Sequence, residues 1–380
     1  MSGRKGRAFW ESVAIIIGAA IGAGVLGIPY VVAQIGFGVG IAYIVILGLV
    51  MLLLNLMTGE IAARTSRASQ LTGMAEKYLG KSGKILMAVS VLFGIYGALL
   101  AYVIGTGEVL QAMFGGSAFG WSIAFFIVGG IFLYRGLKTV KLAELIMTII
   151  LFVVVLAIAF WSAPSIQLTN LNASIAWESL FLPYGVILFA FHGSSSIPVV
   201  RTLLAGRQKQ FKWAIIFSSV IIIALYAIFA LAVVGVTGRS TTEVATVGLG
   251  QALGPVMILF GNIFAFFAMG SSFLLLGTAL RETYEWDFHL NPTVAWGLTI
   301  AGPIVLFLAG IRGFIGTLAV TGSVFTSLTA ILIVLMYWRV QKKGDRPAKR
   351  FHMHHAVLVS GILLIVFAFA AIYSVWQFFS

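Results

Sequence analysis

The stretch Gly18-Ala19-Ala20-Ile21-Gly22-Ala23-Gly24-Val25-Leu26-Gly27-Ile28-Pro29-Tyr30 decides the fold of this chain. It lies in an apolar run, yet it holds four glycines and a proline, which suit an ordinary membrane-spanning helix poorly. Within lipid, unwound backbone is tolerated only where protein buries it or where it lines a cavity. A helix that breaks near the bilayer midplane frees N–H groups on one half and carbonyls on the other, as in many secondary transporters. The stretch therefore predicts a broken first span of a solute carrier.

The composition supports an all-α integral membrane protein. Of the 380 residues, 61% are hydrophobic and 9% are charged, and the mean hydropathy of +1.08 excludes a soluble domain. The absence of Cys excludes disulfides and thiolate metal sites. Apolar runs of spanning length predict eleven membrane helices, at about 11–35, 38–61, 84–113, 119–134, 140–161, 176–200, 212–236, 251–280, 293–310, 313–338 and 356–379.

The net charge of +13 orients the chain in the membrane. Twenty-two of the 24 Lys and Arg fall on one side of the eleven predicted spans, and only Arg239 and Arg312 fall on the other. Because the cytoplasmic side collects positive charge, the amino terminus is predicted to be cytoplasmic and the carboxyl terminus extracytoplasmic. The charge therefore indicates a multi-pass protein of the inner or plasma membrane, with the lipid bilayer rather than nucleic acid as its partner.

The sixth predicted span has a second irregular stretch, Phe189-Ala190-Phe191-His192-Gly193-Ser194-Ser195-Ser196-Ile197-Pro198. Its small polar residues and proline predict another interrupted helix, five spans after the first. Interrupted segments at matching positions of two halves are the best sequence indication of a transporter binding site. Glycines also serve close helix packing, and Gly18 with Gly22 fits that pattern as well.

These residues resemble a known family. The run Gly22–Tyr30 is similar to the span 1 signature of the amino acid/auxin permease family and the related aromatic amino acid permeases. The resemblance continues in Glu60–Arg64, Met74–Gly80, Pro183–Gly185, Phe189–Phe191, Ser271–Phe273 and Leu280–Glu282. It implies the LeuT-type fold, in which helices 1 and 6 are broken. One transporter domain would cover 1–380, with inverted repeats at 10–161 and 176–340 and a peripheral helix at 356–379.

The resemblance also implies a substrate site at the two breaks. The N–H groups of Ala23 and Gly24 would hold the substrate carboxylate, and carbonyls near Ala20 and Phe191 would meet its amino group. Half-helix dipoles complement the two ends of a zwitterion in this arrangement. The predicted substrate-binding residues are Ala20, Gly22, Ala23, Gly24, Val25, Phe189, Phe191, His192, Gly193 and Tyr102.

A coupling-cation site is predicted between spans 1 and 8. The family pattern places the carbonyls of Gly18 and Ile21 beside the hydroxyls of Ser271 and Ser272, and such hard oxygen donors suit sodium. Serines in membrane helices also bond back to their own turn, which is the alternative for this pair. His192 is the candidate for proton coupling, because imidazole titrates near neutral pH. Sodium is favoured as the coupling ion, and the proton is the alternative. No other cofactor is expected.

The central residues predict a neutral substrate. Intramembrane ionisable groups are functional by default, but Glu60 and Glu108 lie near the ends of their spans, which leaves His192 near the midplane. Four aromatic residues would form apolar walls around the side chain of a large or aromatic amino acid: Phe189, Phe191, Tyr96 and Tyr102. The sequence thus predicts alternating-access import of neutral amino acids, coupled to Na⁺ or H⁺.

Other functions are weaker readings of the same sequence. A non-transporting amino-acid sensor of the same fold stays open. A channel filter would need four copies of a run such as Thr246–Gly250, and one is present. An intramembrane enzyme would need paired aspartates or a His-Glu-x-x-His helix, and the tight acidic cluster at 282–287 lies in a predicted inner loop. The sequence indicates neither the oligomeric state nor which amino acid is carried.

Overall fold

The computed structural model describes residues 2–66, 69–135, 140–172, 179–286, 288–347 and 356–379, and the regular structure in these ranges is entirely helical. The α-helices are α1 (Ser2–Ala20), α2 (Ala23–Ile35), α3 (Phe37–Arg64), α4 (Leu71–Phe114), α5 (Ala118–Arg135), α6 (Val140–Ser162), α7 (Leu168–Leu171), α8 (Leu182–Ala190), α9 (Ile197–Leu203), α10 (Gln208–Thr237), α11 (Ala245–Leu253), α12 (Pro255–Trp286), α13 (Pro292–Leu308), α14 (Phe314–Val320), α15 (Ser327–Lys343) and α16 (Ala356–Phe379). A π-helical segment at Thr321–Thr326 joins α14 to α15.

The described ranges contain seven segments long and apolar enough to cross a membrane. The pair α1 and α2 adds an eighth if it counts as one span, since its halves bend by 58° across a short break. Shorter apolar helices cover Ile149–Ser165, Pro292–Leu308 and Val359–Ser374. These elements follow the order of the predicted spans, and the exact number of eleven stays a prediction.

Glycine, proline and asparagine set several helix boundaries. Pro292 occupies the first turn of α13, and the Asn291 side chain accepts a hydrogen bond from the N–H of Thr293, which caps the helix. Gly80 bends α4 with a φ of +81°, a conformation that other residues rarely adopt. A short helix therefore precedes that bend, in the stretch between the predicted spans 38–61 and 84–113.

The two broken spans pack against each other in opposite directions. Helix α2 contacts α8, and α1 contacts α9, so both breaks lie at the same depth. Helix α10 packs against α1, α2 and α3 and therefore crosses beside the breaks. On another side, α4 packs along α12. The breaks are thus enclosed by α3, α4, α10 and α12.

Glycines allow helix α8 to approach the π-helical segment closely. A Cβ on Gly322 would overlap the carbonyl oxygen of Gly185, and a Cβ on Gly185 would overlap that of Ala319. Any larger side chain at either glycine would separate the two backbones. This contact fixes the first half of span 6 against the span that begins with α14.

The end of the molecule that holds most of the basic residues is tied together by hydrogen bonds. Arg201, in α9, donates to the carbonyl of Thr65 at 2.6 Å. The Asp345 carboxylate accepts from Ser66 and pairs with Lys77, and these contacts hold the pKa of that carboxyl well below its usual range. Helices α4 and α9 and the chain segments that follow α3 and α15 are therefore joined at this end.

Candidate functional site

The first helix breaks at Ile21 and Gly22. The N–H of Ile21 still bonds to the carbonyl of Ile17 at 2.9 Å, whereas Gly22 is extended, with φ −145° and ψ −144°. Helix α2 begins at Ala23, and no side chain caps it. Its first-turn N–H groups, which include those of Ala23, Gly24 and Val25, have no partner within the helix. The break thus presents a buried, positively polarised helix terminus.

The sixth span breaks immediately after Ala190. The N–H of Phe191 bonds to the Ile187 carbonyl at 3.0 Å, and that of His192 bonds to Phe189 at 3.1 Å. Gly193 then donates to the Phe191 carbonyl at 2.9 Å, which closes a tight turn. A 3₁₀ turn at Ser194–Ser196 leads into α9. The Phe191 carbonyl, which the sequence assigned to the substrate amino group, is therefore already hydrogen-bonded within the turn.

Polar side chains hold the second break in place. Ser194 donates to the amide oxygen of Asn55, in α3, at 2.7 Å, and Ser196 donates to the Gly193 carbonyl at 2.7 Å. Gly193 lies against the end of α1, since a Cβ on it would be 3.7 Å from the Cβ of Ala20. The two interrupted segments are consequently adjacent.

Tyr102 and Ser272 bring helices α4 and α12 to the first break. Their hydroxyl groups are hydrogen-bonded to each other. A Cβ on Gly22 would lie 3.1 Å from the Tyr102 hydroxyl oxygen and 3.3 Å from Ser272 Oγ. Glycine at position 22 therefore lets both hydroxyls approach the unwound backbone. The structure thus brings together three of the residues assigned to the site from sequence.

A tyrosine that the sequence did not indicate joins the carbonyl ends of both breaks. Tyr226, in α10, is fully buried, and its hydroxyl oxygen lies 3.0 Å from the Ala20 carbonyl oxygen and 2.8 Å from that of Ala190. Ala20 ends α1 and Ala190 ends α8. The ring of Tyr226 meets Phe191 edge to face at 5.0 Å between centroids. The Ala20 carbonyl predicted to face the substrate is thus within hydrogen-bond distance of this hydroxyl.

The aromatic and imidazole side chains of span 6 take different positions. Phe191 is buried, and its ring tip lies close to Gly48 of α3. Phe189 is half-buried. The Nδ1 atom of His192 is buried and has no hydrogen-bond partner, although the residue as a whole is half-buried. His192 is therefore the titratable side chain at the second break.

The four residues of the predicted cation site differ in their surroundings. Ser272 lies at the break, bonded to Tyr102. Ser271 donates to the carbonyl of Ala268 at 3.2 Å, which is the local bond expected of a serine in a membrane helix. Ile21 is buried and Gly18 is half-buried on the helix that leads to the break. A joint cation site for the four stays a prediction.

Gly24 has a packing role that the sequence did not indicate. A Cβ on this residue would lie 2.5 Å from the Cα and 2.6 Å from the Cβ of Ala190. Ala23 and Val25, on either side, are fully buried. The missing side chain of Gly24 therefore serves the contact between α2 and α8, whatever its N–H group binds.

The site as a whole suits a molecule with two opposite charges and an apolar body. It offers unpaired N–H groups at one helix terminus, carbonyls at two others, and hydroxyl groups between them. The side chains named here are uncharged apart from the titratable imidazole of His192. Such a set can bind a carboxylate and an ammonium through backbone dipoles while aromatic rings cover the remaining surface.

Known proteins resemble this chain along nearly its whole length. The sequence model of the tryptophan/tyrosine permease family matches residues 5–377. The chain is 26% identical to the "Tyrosine-specific transport system 1" of Haemophilus influenzae, over 94% of this chain and 96% of that protein. It is 23% identical to the "Glutamine transporter 2" of Aliivibrio fischeri, over 93% and 97% of the two chains.

A solved structure shares the fold. The crystal structure of MhsT in complex with L-phenylalanine superposes with a TM-score of 0.68, covering 95% of this chain and 98% of that one. The sequence identity is 14%, so this similarity concerns the fold alone. It confirms the general architecture that the resemblance to LeuT-type transporters implied. The assignment of two five-helix repeats stays a prediction.

Proposed function

Because the chain belongs to the tryptophan/tyrosine permease family, we propose that it imports neutral aromatic amino acids by alternating access, driven by a cation gradient. The protein is a multi-pass membrane transporter of amino acids and not an enzyme, as its family and relatives show. The substrate range, the driving ion and the transport cycle are the parts that we propose.

The observation that carries the proposal is the meeting of opposite helix ends at one buried place. The N-terminus of α2 supports a site for the substrate carboxylate at Ala23 and Gly24, because uncapped N–H groups bind anions. The C-termini of α1 and α8 converge nearby on Tyr226. An α-amino acid carries the two complementary charges at a fixed short separation. We therefore assign the breaks to the backbone of the substrate.

The surroundings of the breaks favour a neutral side chain on the substrate. Phe191 and Tyr102 are buried beside the breaks, and Phe189 is half-buried. Moving a charged side chain into such a place without a partner costs several kcal/mol. One relative is named for tyrosine and another for glutamine, and both of these amino acids have uncharged side chains. We therefore propose an aromatic substrate.

We propose sodium as the coupling ion, held by the carbonyls of Gly18 and Ile21 with the hydroxyls of Ser271 and Ser272. The location of Ser272 at the break supports this assignment. Protons are the alternative, with His192 as their carrier, because its Nδ1 is buried without a hydrogen-bond partner. A non-transporting sensor would bind the same ligands but would move none of them.

Uptake by proteoliposomes tests substrate and ion together. We expect tyrosine, tryptophan or phenylalanine to be taken up at least about tenfold faster than lysine or glutamate. Replacing sodium with choline should abolish this uptake, and Ser271→Ala with Ser272→Ala should raise the sodium concentration required. His192→Gln should leave sodium coupling intact. Uptake that follows a proton gradient and is lost in His192→Gln would assign coupling to the proton, and binding without uptake would indicate a sensor.

We propose that the amino terminus is cytoplasmic and the carboxyl terminus extracytoplasmic. The absence of native Cys allows single cysteines to be placed at Ser2 or at Ser380. In intact cells an impermeant maleimide should label the cysteine at 380 and leave that at 2 unlabelled. Permeabilised cells, in which both positions should react, provide the control. The reverse pattern would overturn the orientation, and equal labelling in intact cells would contradict the odd number of spans.

A further inference from the structure

The hydroxyl group of Tyr226 has more acceptors than it can serve. It lies 3.0 Å from the carbonyl oxygen of Ala20 and 2.8 Å from that of Ala190, both within hydrogen-bond distance. A phenolic hydroxyl carries one proton, so it can fully satisfy only one of these carbonyls at a time. The other carbonyl, in a fully buried place, keeps an unused acceptor.

Electrostatics strengthen this imbalance between donors and acceptors. Ala20 is the last residue of α1 and Ala190 the last residue of α8, so both carbonyls carry the negative end of a helix dipole. The hydroxyl oxygen of Tyr226 keeps lone pairs when its proton is donated. Three oxygen atoms therefore lie close together, and the hydroxyl supplies only one hydrogen-bonding proton among them.

We infer that Tyr226 is a substrate-positioning residue, an inference that rests on the proposed function. Its hydroxyl oxygen, together with the carbonyl oxygens of Ala20 and Ala190, would accept hydrogen bonds from the α-ammonium group of the amino acid. An ammonium group has three N–H donors, which matches the three acceptors in number and in sign. Its positive charge also lies at the ends of α1 and α8, where a cation is stabilised.

Neighbouring side chains hold the tyrosine in position for this role. Its ring packs edge to face against Phe191, which is itself buried. This contact restricts the ring, so the hydroxyl oxygen stays between the two carbonyls. Phe191 thus contributes to the site by orienting Tyr226. The carbonyl of Phe191 itself accepts a hydrogen bond from the N–H of Gly193.

Tyr226→Phe tests the inference because it removes the hydroxyl and keeps the ring. The ligands are the best aromatic substrate from the uptake panel and its des-amino analogue, and both affinities are measured as inhibition of labelled uptake and by direct titration of the purified protein. We expect the dissociation constant of the amino acid to rise about 10- to 100-fold, the range for a hydrogen bond to a charged group. The dissociation constant of the des-amino analogue should stay within about threefold, since it lacks the ammonium.

Equal weakening of both ligands would overturn the inference and leave Tyr226 as a structural cap of the two helices. If the analogue binds neither protein, the kinetic constants decide: a raised KM with an unchanged maximal rate supports the inference, and an unchanged KM contradicts it. If Tyr226→Phe does not fold, Tyr226→Leu replaces it under the same criteria, because leucine is also apolar and also removes the acceptor oxygen.

Tyr184→Phe is the matched control. Tyr184, in α8, is buried, and its hydroxyl lies 3.0 Å from Ser327 Oγ rather than from a carbonyl at a break. This variant should change the affinities of both ligands by the same small factor. A wild-type protein that neither binds nor transports any amino acid would refute the proposed function, which is distinct from a failure of the inference about Tyr226.

Discussion

Gly24→Ala should reduce amino acid uptake at least about tenfold. An added methyl group where two backbones touch should raise the free energy of the closely packed, transport-competent structure by more than about 1.4 kcal/mol. The added Cβ would lie 2.5 Å from the Cα and 2.6 Å from the Cβ of Ala190. Helices α2 and α8 would have to separate, and both ends of the proposed substrate site would move with them. Gly24→Val should abolish uptake. The measurement is initial uptake in proteoliposomes, normalised to inserted protein.

Gly38→Ala is the control for this prediction, because a Cβ on Gly38 meets nothing within 4 Å and the residue lies in the first turn of α3. It should transport normally. The double variant Gly24→Ala with Ala190→Gly should recover only part of the activity, since the Cα of position 190 stays in the way. Normal uptake by Gly24→Ala alone would show that α2 and α8 are not in close contact.

The second large effect is expected at Glu60. Its carboxylate is fully buried in α3, accepts a hydrogen bond from Arg64 Nε at 2.9 Å, and accepts another from Gln341, in α15, at 3.0 Å. Removing one member of a buried ion pair leaves the other charge without its partner. Glu60→Ala should therefore lower the free energy of unfolding by about 3–5 kcal/mol, measured by denaturant titration in detergent. Glu60→Gln, which keeps hydrogen-bonding atoms, should lose less.

An exposed ion pair provides the control for Glu60. Glu76 pairs with Lys84 at 2.9 Å, and both side chains are about half exposed. Solvent screens such a pair, so Glu76→Ala should change the free energy of unfolding by less than about 1 kcal/mol. Equal losses in Glu60→Ala and Glu76→Ala would contradict the burial of Glu60 and its contact with α15.

Local sequence was sufficient to locate both helix breaks. Glycine, serine and proline disfavour a continuous helix wherever they occur, so Gly22 and the run from Gly193 to Pro198 indicated irregular backbone without any tertiary information. The family resemblance also predicted the transporter class correctly. Contacts between distant segments could not be predicted in this way. Nothing near Gly24 in the sequence indicates that Ala190 fills the space that a side chain at position 24 would occupy.

Tyr226 shows why part of the candidate site escaped prediction. It lies in an uninterrupted apolar helix, α10, where an aromatic residue resembles its neighbours in composition. One signal was present, since a tyrosine hydroxyl in the middle of a span needs a buried hydrogen-bond partner. The identity of that partner depends on the packing of α10 across both breaks, which a single sequence does not specify. Glu60 is similar, because its position near the end of α3 did not indicate its contact with α15.

The interrupted sixth span has a consequence for how the protein is made. Among the seven spanning segments, Leu182–Leu203 has the lowest mean hydropathy, and most of it is buried by protein rather than open to lipid. A segment of this kind gains little from entering the bilayer alone, because its irregular backbone needs partners there. One partner, Asn55, precedes it in the chain, but Tyr226 is synthesised after it. We therefore expect stable insertion of the sixth predicted span to depend on the seventh, which contributes Tyr226.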